Sequence, residues 1–491
     1  MPRSRPRPRS RKYRLALLPV ALFLLLLALP STASARPFET GLSGIGDYQP
    51  LSFERTRDAG ARWVRLVLDW EHVAPANPPA SWDPTNPADP HYRDWSYIDT
   101  GVIEAVKAGL NPLLIVDGAP TWAQRCNAPP GLQLTRMCDP DPAALGAFAT
   151  AAARRYSGKF GGLPRVQYWQ GMNEPNLTLF FFPQFNTEFK PLSPALYRNL
   201  INSFYDGINA VDPSNVVVAA GLGPTELKGY NVGPMKFTRL LLCMKGHENP
   251  KPTKGCPGGV RFDAFDIHPY SSGGPTHEGR INDVQSGDLP KLMTLLRAAD
   301  KAGHIRGQFK RTQLWVTEFS WDSNPPDPRG LPMPILTQWT AEVLHQAWAA
   351  GVTKFFWYGL RDQPLGGGEG TVQSGLYFRA DQLANDQPKE VLVTFRFPFT
   401  AFARKGKNGG LEYWGRTPSS GPGRVTLEAF LEGRWQPIAK VKADEVGIFR
   451  GQLDNRYGRN KKGAVRAVFH SHSSVPFPMK RVGDFRHRPF G

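Results

Sequence analysis

Between Phe38 and Asp362 the chain repeats one unit eight times: a short apolar run ending in polar or aromatic residues, then a loop, then in most repeats a stretch with helical spacing. The runs lie around 40–46, 62–70, 111–120, 165–176, 216–224, 262–270, 313–321 and 354–362. Helical spacing is clear over 98–109, 142–156, 194–211, 289–303 and 334–351, and several of these stretches stop at glycine, which readily takes the left-handed conformation that closes a helix. Strands that alternate with helices pair in parallel, and eight such units suit a closed (β/α)8 TIM barrel. A doubly wound open sheet would carry a glycine-rich phosphate turn after its first strand. Gly41-Leu42-Ser43-Gly44-Ile45-Gly46 has neither the required spacing nor a recognisable helix behind it.

The loops 71–97, 122–141 and 177–192 are long and rich in Pro, Gly and aromatic residues, and in a barrel such loops after the strands build the catalytic face. Phe180-Phe181-Phe182 is expected to be buried under its loop, with a sugar-stacking wall as the alternative. After the eighth run, 388–397 reads as a short closing helix that stops before Pro398. Residues 398–470 then alternate apolar and polar between turn signals, as in Gly423-Arg424-Val425-Thr426-Leu427-Glu428-Ala429-Phe430. This predicts a small antiparallel β domain, sandwich-like, packed directly on the barrel because no Ser/Pro-rich spacer precedes it. The expected organisation is a leader at 1–35, a barrel over 36–397, a β domain over 398–475 and a loose tail over 476–491.

The leader reading rests on seven basic and no acidic residues within 1–35, an apolar run over 15–30 and Ala33-Ser34-Ala35 at the cut. The run is short of the roughly 20 residues a bilayer span requires, so no stable membrane span is expected after cleavage. An exported chain oxidises its cysteines, and the four fall as local pairs, Cys126 with Cys138 and Cys243 with Cys256, although three connectivities are formally open. A zinc site is disfavoured, since no CxxC pair occurs and no His is spaced to complete a ligand set; no cofactor is expected. The formal charge of +18 does not argue for nucleic acid once it is located. Residues 398–491 hold 18 basic and 7 acidic residues, whereas 36–397 hold 35 of each. The barrel is neutral, and the basic β domain is suited at most to contact with anionic surfaces.

Cleaving a glycosidic bond with retention requires two carboxyls facing each other across the sugar, one protonated and one ionised, about 5 to 5.5 Å apart. Two strand-like runs deliver candidates at their C-terminal ends. Val166-Gln167-Tyr168-Trp169-Gln170-Gly171-Met172 leads into Asn173-Glu174-Pro175-Asn176, and Leu314-Trp315-Val316-Thr317 leads into Glu318. These are the fourth and seventh runs, whose C-terminal ends converge on one face of a barrel.

Trp169 to Asn176 resembles the acid/base motif of the large clan of retaining glycoside hydrolases built on (β/α)8 barrels, in which Asn-Glu-Pro follows strand four and the nucleophilic Glu follows strand seven. The likeness follows element order from Thr40 to Asp362 and takes in Gly60-Ala61-Arg62-Trp63-Val64-Arg65, the Trp95 to Asp99 segment and Pro120-Thr121-Trp122-Ala123; it does not reach the β domain. Within the clan it is similar to the xylosidase/iduronidase-like and cellulase-like families. The resemblance implies a carbohydrate substrate, with Glu174 as acid/base and Glu318 as nucleophile. It implies further that Asn173 binds the sugar 2-hydroxyl, that Arg65 keeps the nucleophile charged, that His268 and Tyr270 orient the two carboxyls and that Trp357 forms an apolar platform under the sugar. Trp70 and Trp122 are weaker subsite candidates. Asp69 and Glu71 add carboxylates near the mouth without an assigned role. A non-catalytic carbohydrate-binding barrel or an adhesion protein working through its basic domain are the alternatives, and the presence of both Glu residues with Asn173 argues against them.

Overall fold

The computed structural model describes residues 1, 36–127, 131, 136–255, 259–364, 372–404, 410–454, 463–479, 482–487 and 489–490. Residues 2–35 of the expected leader at 1–35 lie outside them, as does Cys256. Eight parallel strands close into a barrel: β1 (Glu39–Ser43), β2 (Trp63–Asp69), β3 (Asn111–Asp117), β4 (Tyr168–Gly171), β5 (Val216–Leu222), β6 (Ala264–Ile267), β7 (Gln313–Val316) and β8 (Val352–Tyr358). Each strand pairs with its neighbours in sequence, and β1 closes the ring against β8 with Glu39 opposite Lys354 and Ser43 opposite Tyr358. Each of the eight apolar runs coincides with or overlaps its strand. Side chains fill the barrel rather than leave a pore: Trp63, Leu113, Val218, Trp315 and Phe356 form one buried cluster.

A helix follows each strand: α1 (Pro50–Asp58), α2 (Ser96–Lys107), α3 (Pro142–Arg155), α4 (Ser193–Val211), α5 (Pro234–Leu241), α6 (Leu289–Lys301), α7 (Met333–Ala350) and α8 (Glu390–Arg396). The stop signals hold, for Gly351 takes φ +96° and its N–H caps the end of α7. Helices α1 and α5 correct the sequence reading. A helix does follow Gly46, but α1 buries only Ser52, Phe53 and Thr56, so most of its inward face carries no apolar signal. Helix α5 has only eight residues, too few for its periodicity to stand out.

The C-terminal region forms two antiparallel sheets, one of β9 (Phe399–Ala403), β10 (Leu411–Arg416) and β13 (Ile448–Leu453), the other centred on β11 (Gly423–Leu431), β12 (Arg434–Ala443) and β14 (Ala464–Phe469). Their inward residues, among them Phe399, Tyr413, Val425, Leu427, Phe449 and Ala467, share a core that Ala341 of α7 enters. The region sits against the barrel through α7: Thr400 meets His345 at 3.1 Å and Trp414 stacks on the same imidazole at 4.9 Å. The described tail residues are also placed by contacts. Phe477–Pro478 pairs with β14, and residues 482–487 and 489–490 return to the C-terminal face of the barrel. A Cys126–Cys138 disulfide ties the loop after β3, as expected from proximity. Among the described residues no helix is long and apolar enough to cross a membrane.

Candidate active site

Strand β4 ends at Gly171, and the chain then turns sharply, with Met172 at φ +74° and Glu174 at φ +42°. A side chain in that left-handed region stores about 1 to 3 kcal/mol and persists only where neighbours hold it. Here Glu174 N–H donates to the carbonyl of Gly221 at 3.0 Å. The Asn176 side chain clasps the loop after β5, accepting from Gly223 N–H at 2.8 Å and donating to the carbonyls of Gly223 and Val232. Asn176 is thus the brace of the turn, while Glu174 is aimed over the barrel mouth.

Side chains from four strands and the turns after them meet there. Arg65, from β2, donates through Nε to Gln170 Oε1 at 2.8 Å, through one terminal nitrogen to Asn173 Oδ1 at 2.8 Å and through the other to Glu318 Oε1. An arginine has no acceptor, so Asn173 must present its oxygen to Arg65, which leaves its amide nitrogen to donate elsewhere; among the described residues that nitrogen has no partner. Tyr270 donates its hydroxyl to Glu318 Oε2 at 3.2 Å. Burial, then the adjacent Glu318 charge, push the Tyr270 phenol well above its ordinary pKa, so it stays a donor.

His268 connects the two carboxyls. Its Nδ1 lies 2.9 Å from Glu174 Oε1 and 3.7 Å from Glu318 Oε2, while Nε2 faces Thr317 Oγ1 at 3.1 Å and Asp266 Oδ2 at 3.4 Å. Burial opposes charge on this ring, but the Glu318 charge and the bonds to Asp266 and Glu174 outweigh it and raise the pKa to about 10. A protonated His268 donates from both nitrogens, Nδ1 to Glu174 Oε1 and Nε2 to Thr317 Oγ1. Glu174 is only 8% exposed, and this desolvation raises its pKa against the pull of His268. The two carboxyls therefore sit in different surroundings, Glu318 beside a guanidinium and a phenol donor, Glu174 desolvated.

Of the residues proposed from sequence, Glu174, Glu318, Asn173, Arg65, His268 and Tyr270 come together here. Trp357 does not. Side chains alternate along β8, so Phe356 fills the barrel, Trp357 points outward to Phe395 of α8 with its Nε1 donating to the Ser374 carbonyl, and Tyr358 points back inward. Tyr358 shares a cavity of about 350 Å³ with Arg65, Tyr48 and Tyr97, and burial followed by the Glu318 charge pushes its hydroxyl up to about 12. Trp70 is also core, fully buried and stacked on Phe148 at 5.5 Å, and Trp122 packs edge-on against it. Phe181 is fully buried in a short bridge that joins Phe181–Phe182 to Met137–Cys138. Asp69 pairs with Arg136 at 2.7 Å, and Glu71 lines a separate cavity of about 360 Å³ beside it.

Sequence reasoning missed the layer beneath the carboxyls. Gln170 accepts from Arg65 and donates to Asp266 Oδ2 at 2.7 Å, and Asp266 in turn accepts from Thr317 through its N–H at 2.9 Å and through its hydroxyl. A polar residue inside an otherwise apolar strand, as at Gln170 and Asp266, is the signal that could have found them. Among the described residues no group of three or more His, Cys, Asp and Glu has metal-binding geometry.

Comparison with solved structures bears on the fold. The chain is similar to a family 39 glycoside hydrolase from the gut symbiont Bacteroides cellulosilyticus, at 19% identity and a TM-score of 0.53, covering 86% of this chain and 80% of that one. It also matches a glucosidase from Croceicoccus marinus (14% identity, 85% and 94% covered, TM-score 0.48) and a GH30 endoxylanase from Clostridium papyrosolvens (13%, 85% and 94%, 0.46). No protein-family model and no curated protein matches the chain. The first likeness is one of fold, and that fold is the (β/α)8 barrel of the clan that Trp169 to Asn176 resembles.

Proposed function

We propose that this chain is an exported retaining glycoside hydrolase, cleaving a glycosidic bond in an oligo- or polysaccharide by double displacement. One observation carries the reading: a single nitrogen, His268 Nδ1, lies 2.9 Å from an oxygen of Glu174 and 3.7 Å from an oxygen of Glu318. The two oxygens are thus closer than those distances laid end to end. That favours the separation of about 5 to 5.5 Å found in retaining enzymes over the wider 6.5 to 9.5 Å that leaves room for a water in inverting ones.

In the first step a Glu318 oxygen attacks the anomeric carbon, the bond to the departing oxygen breaks, and Glu174 gives that oxygen its proton. A glycosyl ester on Glu318 results. Glu174, now a carboxylate beside cationic His268, takes a proton from water, which attacks the same carbon and releases Glu318. Arg65 and Tyr270 hold Glu318 aligned throughout, and the amide nitrogen of Asn173, whose oxygen faces Arg65, donates to the sugar 2-hydroxyl. Export is supported by the character of 1–35 and by the Cys126–Cys138 disulfide, since disulfides persist in oxidising compartments.

The test is Glu318→Ala supplied with azide and a dinitrophenyl glycoside. An alanine vacates the nucleophile's space, so azide attacks directly and yields a glycosyl azide of inverted configuration with rescued rate. No azide adduct, together with residual activity equal to wild type, would overturn the assignment.

A further inference from the structure

The tail crosses the catalytic face on a set of specific bonds. Asp484 accepts from Gly274 N–H at 2.7 Å and pairs with His277 at 2.8 Å, and Phe485 packs on Trp339 with ring centres 4.7 Å apart. His487 N–H donates to the Ser272 carbonyl at 2.9 Å, and the Pro489 carbonyl accepts from Asp322 N–H at 2.7 Å. Phe490 then sets its ring edge-on to Tyr270 at 5.0 Å. The partners belong to two loops and the helix beside them: the loop after β6 that carries Tyr270, the loop after β7 that carries Glu318, and α7.

Beside this strap lies a cleft of about 890 Å³, lined among others by Thr225, Asn231, Arg280, Gln285, Arg486 and His487. That volume is within the range of about 300 to 1,000 Å³ for sites that enclose small molecules. Its position follows from the turn at Glu174. The loop after β5 that forms one wall is the loop the Asn176 side chain clasps, and Gly221 near the end of β5 holds Glu174 N–H, so the cleft lies on the acid/base side of the mouth. Whatever oxygen Glu174 protonates departs on that side. The lining offers both donors and acceptors with Glu226 and Asp283 among the acids, and sugar hydroxyls require both.

We infer that the C-terminal residues 482–487 and 489–490 are a wall of the substrate cleft, building, with the loops after β5 and β6, a site for the sugar residues on the leaving-group side. The inference rests on the hydrolase reading above and adds a specificity: the chain acts on saccharide chains in preference to glycosides of small alcohols. Arg486 and His487 supply donors to hydroxyls of the departing chain, and Phe490 gives it an apolar flank beside Tyr270.

The experiment uses the full chain, with Phe490→Ala and the double variant Arg486→Ala/His487→Ala, on cellotetraose, xylotetraose and mannotetraose against the nitrophenyl glycosides of the same sugars. The ratio of kcat/KM for the preferred tetrasaccharide to that for its nitrophenyl glycoside is expected to fall about tenfold in each variant, the effect of losing one contact of roughly 1.4 kcal/mol, and Phe490→Trp is expected to restore it. An unchanged ratio, including an equal fall on both substrates, overturns the inference, because Phe490 then only props Tyr270. Calorimetric titration of the tetrasaccharides separates this from the reaction itself. If the wild type cleaves nothing, the hydrolase reading fails, while a Kd about tenfold weaker in the tail variants still supports the site, and an unchanged Kd or no binding to the wild type overturns it.

Discussion

At the scale of single residues the site is a chain of obligations. Arg65 must satisfy Gln170, Asn173 and Glu318 at once, and Gln170 hands the constraint to Asp266 and Thr317 under His268. Glu174→Gln keeps that shape but removes the proton, so kcat on glycosides with poor leaving groups is expected to fall by about 10² to 10⁴. The pH profile gives the sign. In the proposed mechanism Glu174 acts protonated, and its pKa is raised by burial, so activity is expected to persist above the ordinary carboxylate range and to be lost as pH rises through the apparent pKa of the Glu174–His268 pair. In Glu174→Gln the residual activity on a dinitrophenyl glycoside is expected to lack that alkaline limb; an unchanged limb in steady-state rates would assign it elsewhere. Gln170→Ala strands the Arg65 Nε–H, costing about 1 to 3 kcal/mol, and leaves the buried Asp266 Oδ2 with the Thr317 hydroxyl but without its second donor. We expect a lower Tm and a kcat reduced more than KM is raised, since Arg65 loses its aim at Glu318. Glu174 and Glu318 were legible because burying a carboxylate at the end of an apolar strand is costly, and the cost recurs at the two places in the strand order that face each other across the mouth. Gln170 was not, because its importance comes from two partners more than 90 residues away in sequence.

At the scale of elements the strand period decides more than the residue type. Trp357 and Tyr358 are both aromatic residues at the end of β8, and either suits a sugar platform by composition. Only the pleat separates them, and it sends Trp357 to α8 and Tyr358 to the mouth. The register with β1, in which Leu42 faces Trp357 and Ser43 faces Tyr358, could not be read from an isolated run. The expected outcome is therefore divided. Trp357→Phe loses a hydrogen bond to Ser374 and part of a buried ring, lowering Tm with KM unchanged. Tyr358→Phe leaves Tm near wild type and alters KM or kcat. Thermal melts and steady-state kinetics on the two variants check this, and the reverse pattern would restore Trp357 to the site. The eight strands were legible for the same reason that the helices α1 and α5 were not: barrel strands are buried on both faces and read as continuous apolar runs, whereas a short helix with small or polar buried residues has little periodicity to show.

At the scale of the whole molecule, Arg36–Gly491 is one compact unit, and the reason is visible where the β sheets meet the barrel. Trp414 of β10 and Ile448 of β13 belong to the same buried cluster as the barrel and its helices, while Ala341 of α7 belongs to the core between the sheets. Neither core is complete without the other. Arg416 joins them, fully buried, donating to Thr40 Oγ1 of β1, to Ser420 Oγ and to the Phe395 carbonyl of α8. Burial, with Arg62 adding to it, lowers its pKa to about 10, which still leaves the guanidinium charged at neutral pH. Such a cation, with no carboxylate within ion-pair distance among the described residues, costs desolvation that three neutral acceptors and the surrounding packing must offset. Its value is in fixing how β10 meets β1 and α8. Calorimetry on the full chain is therefore expected to give one unfolding transition, and Arg416→Ala, which leaves a cavity and three unpaired acceptors, is expected to lower that single Tm by the equivalent of roughly 3 kcal/mol. Two transitions in the wild type, with only the first moved by Arg416→Ala, would mean that the β sheets and the barrel unfold separately and that the shared residues do not couple them.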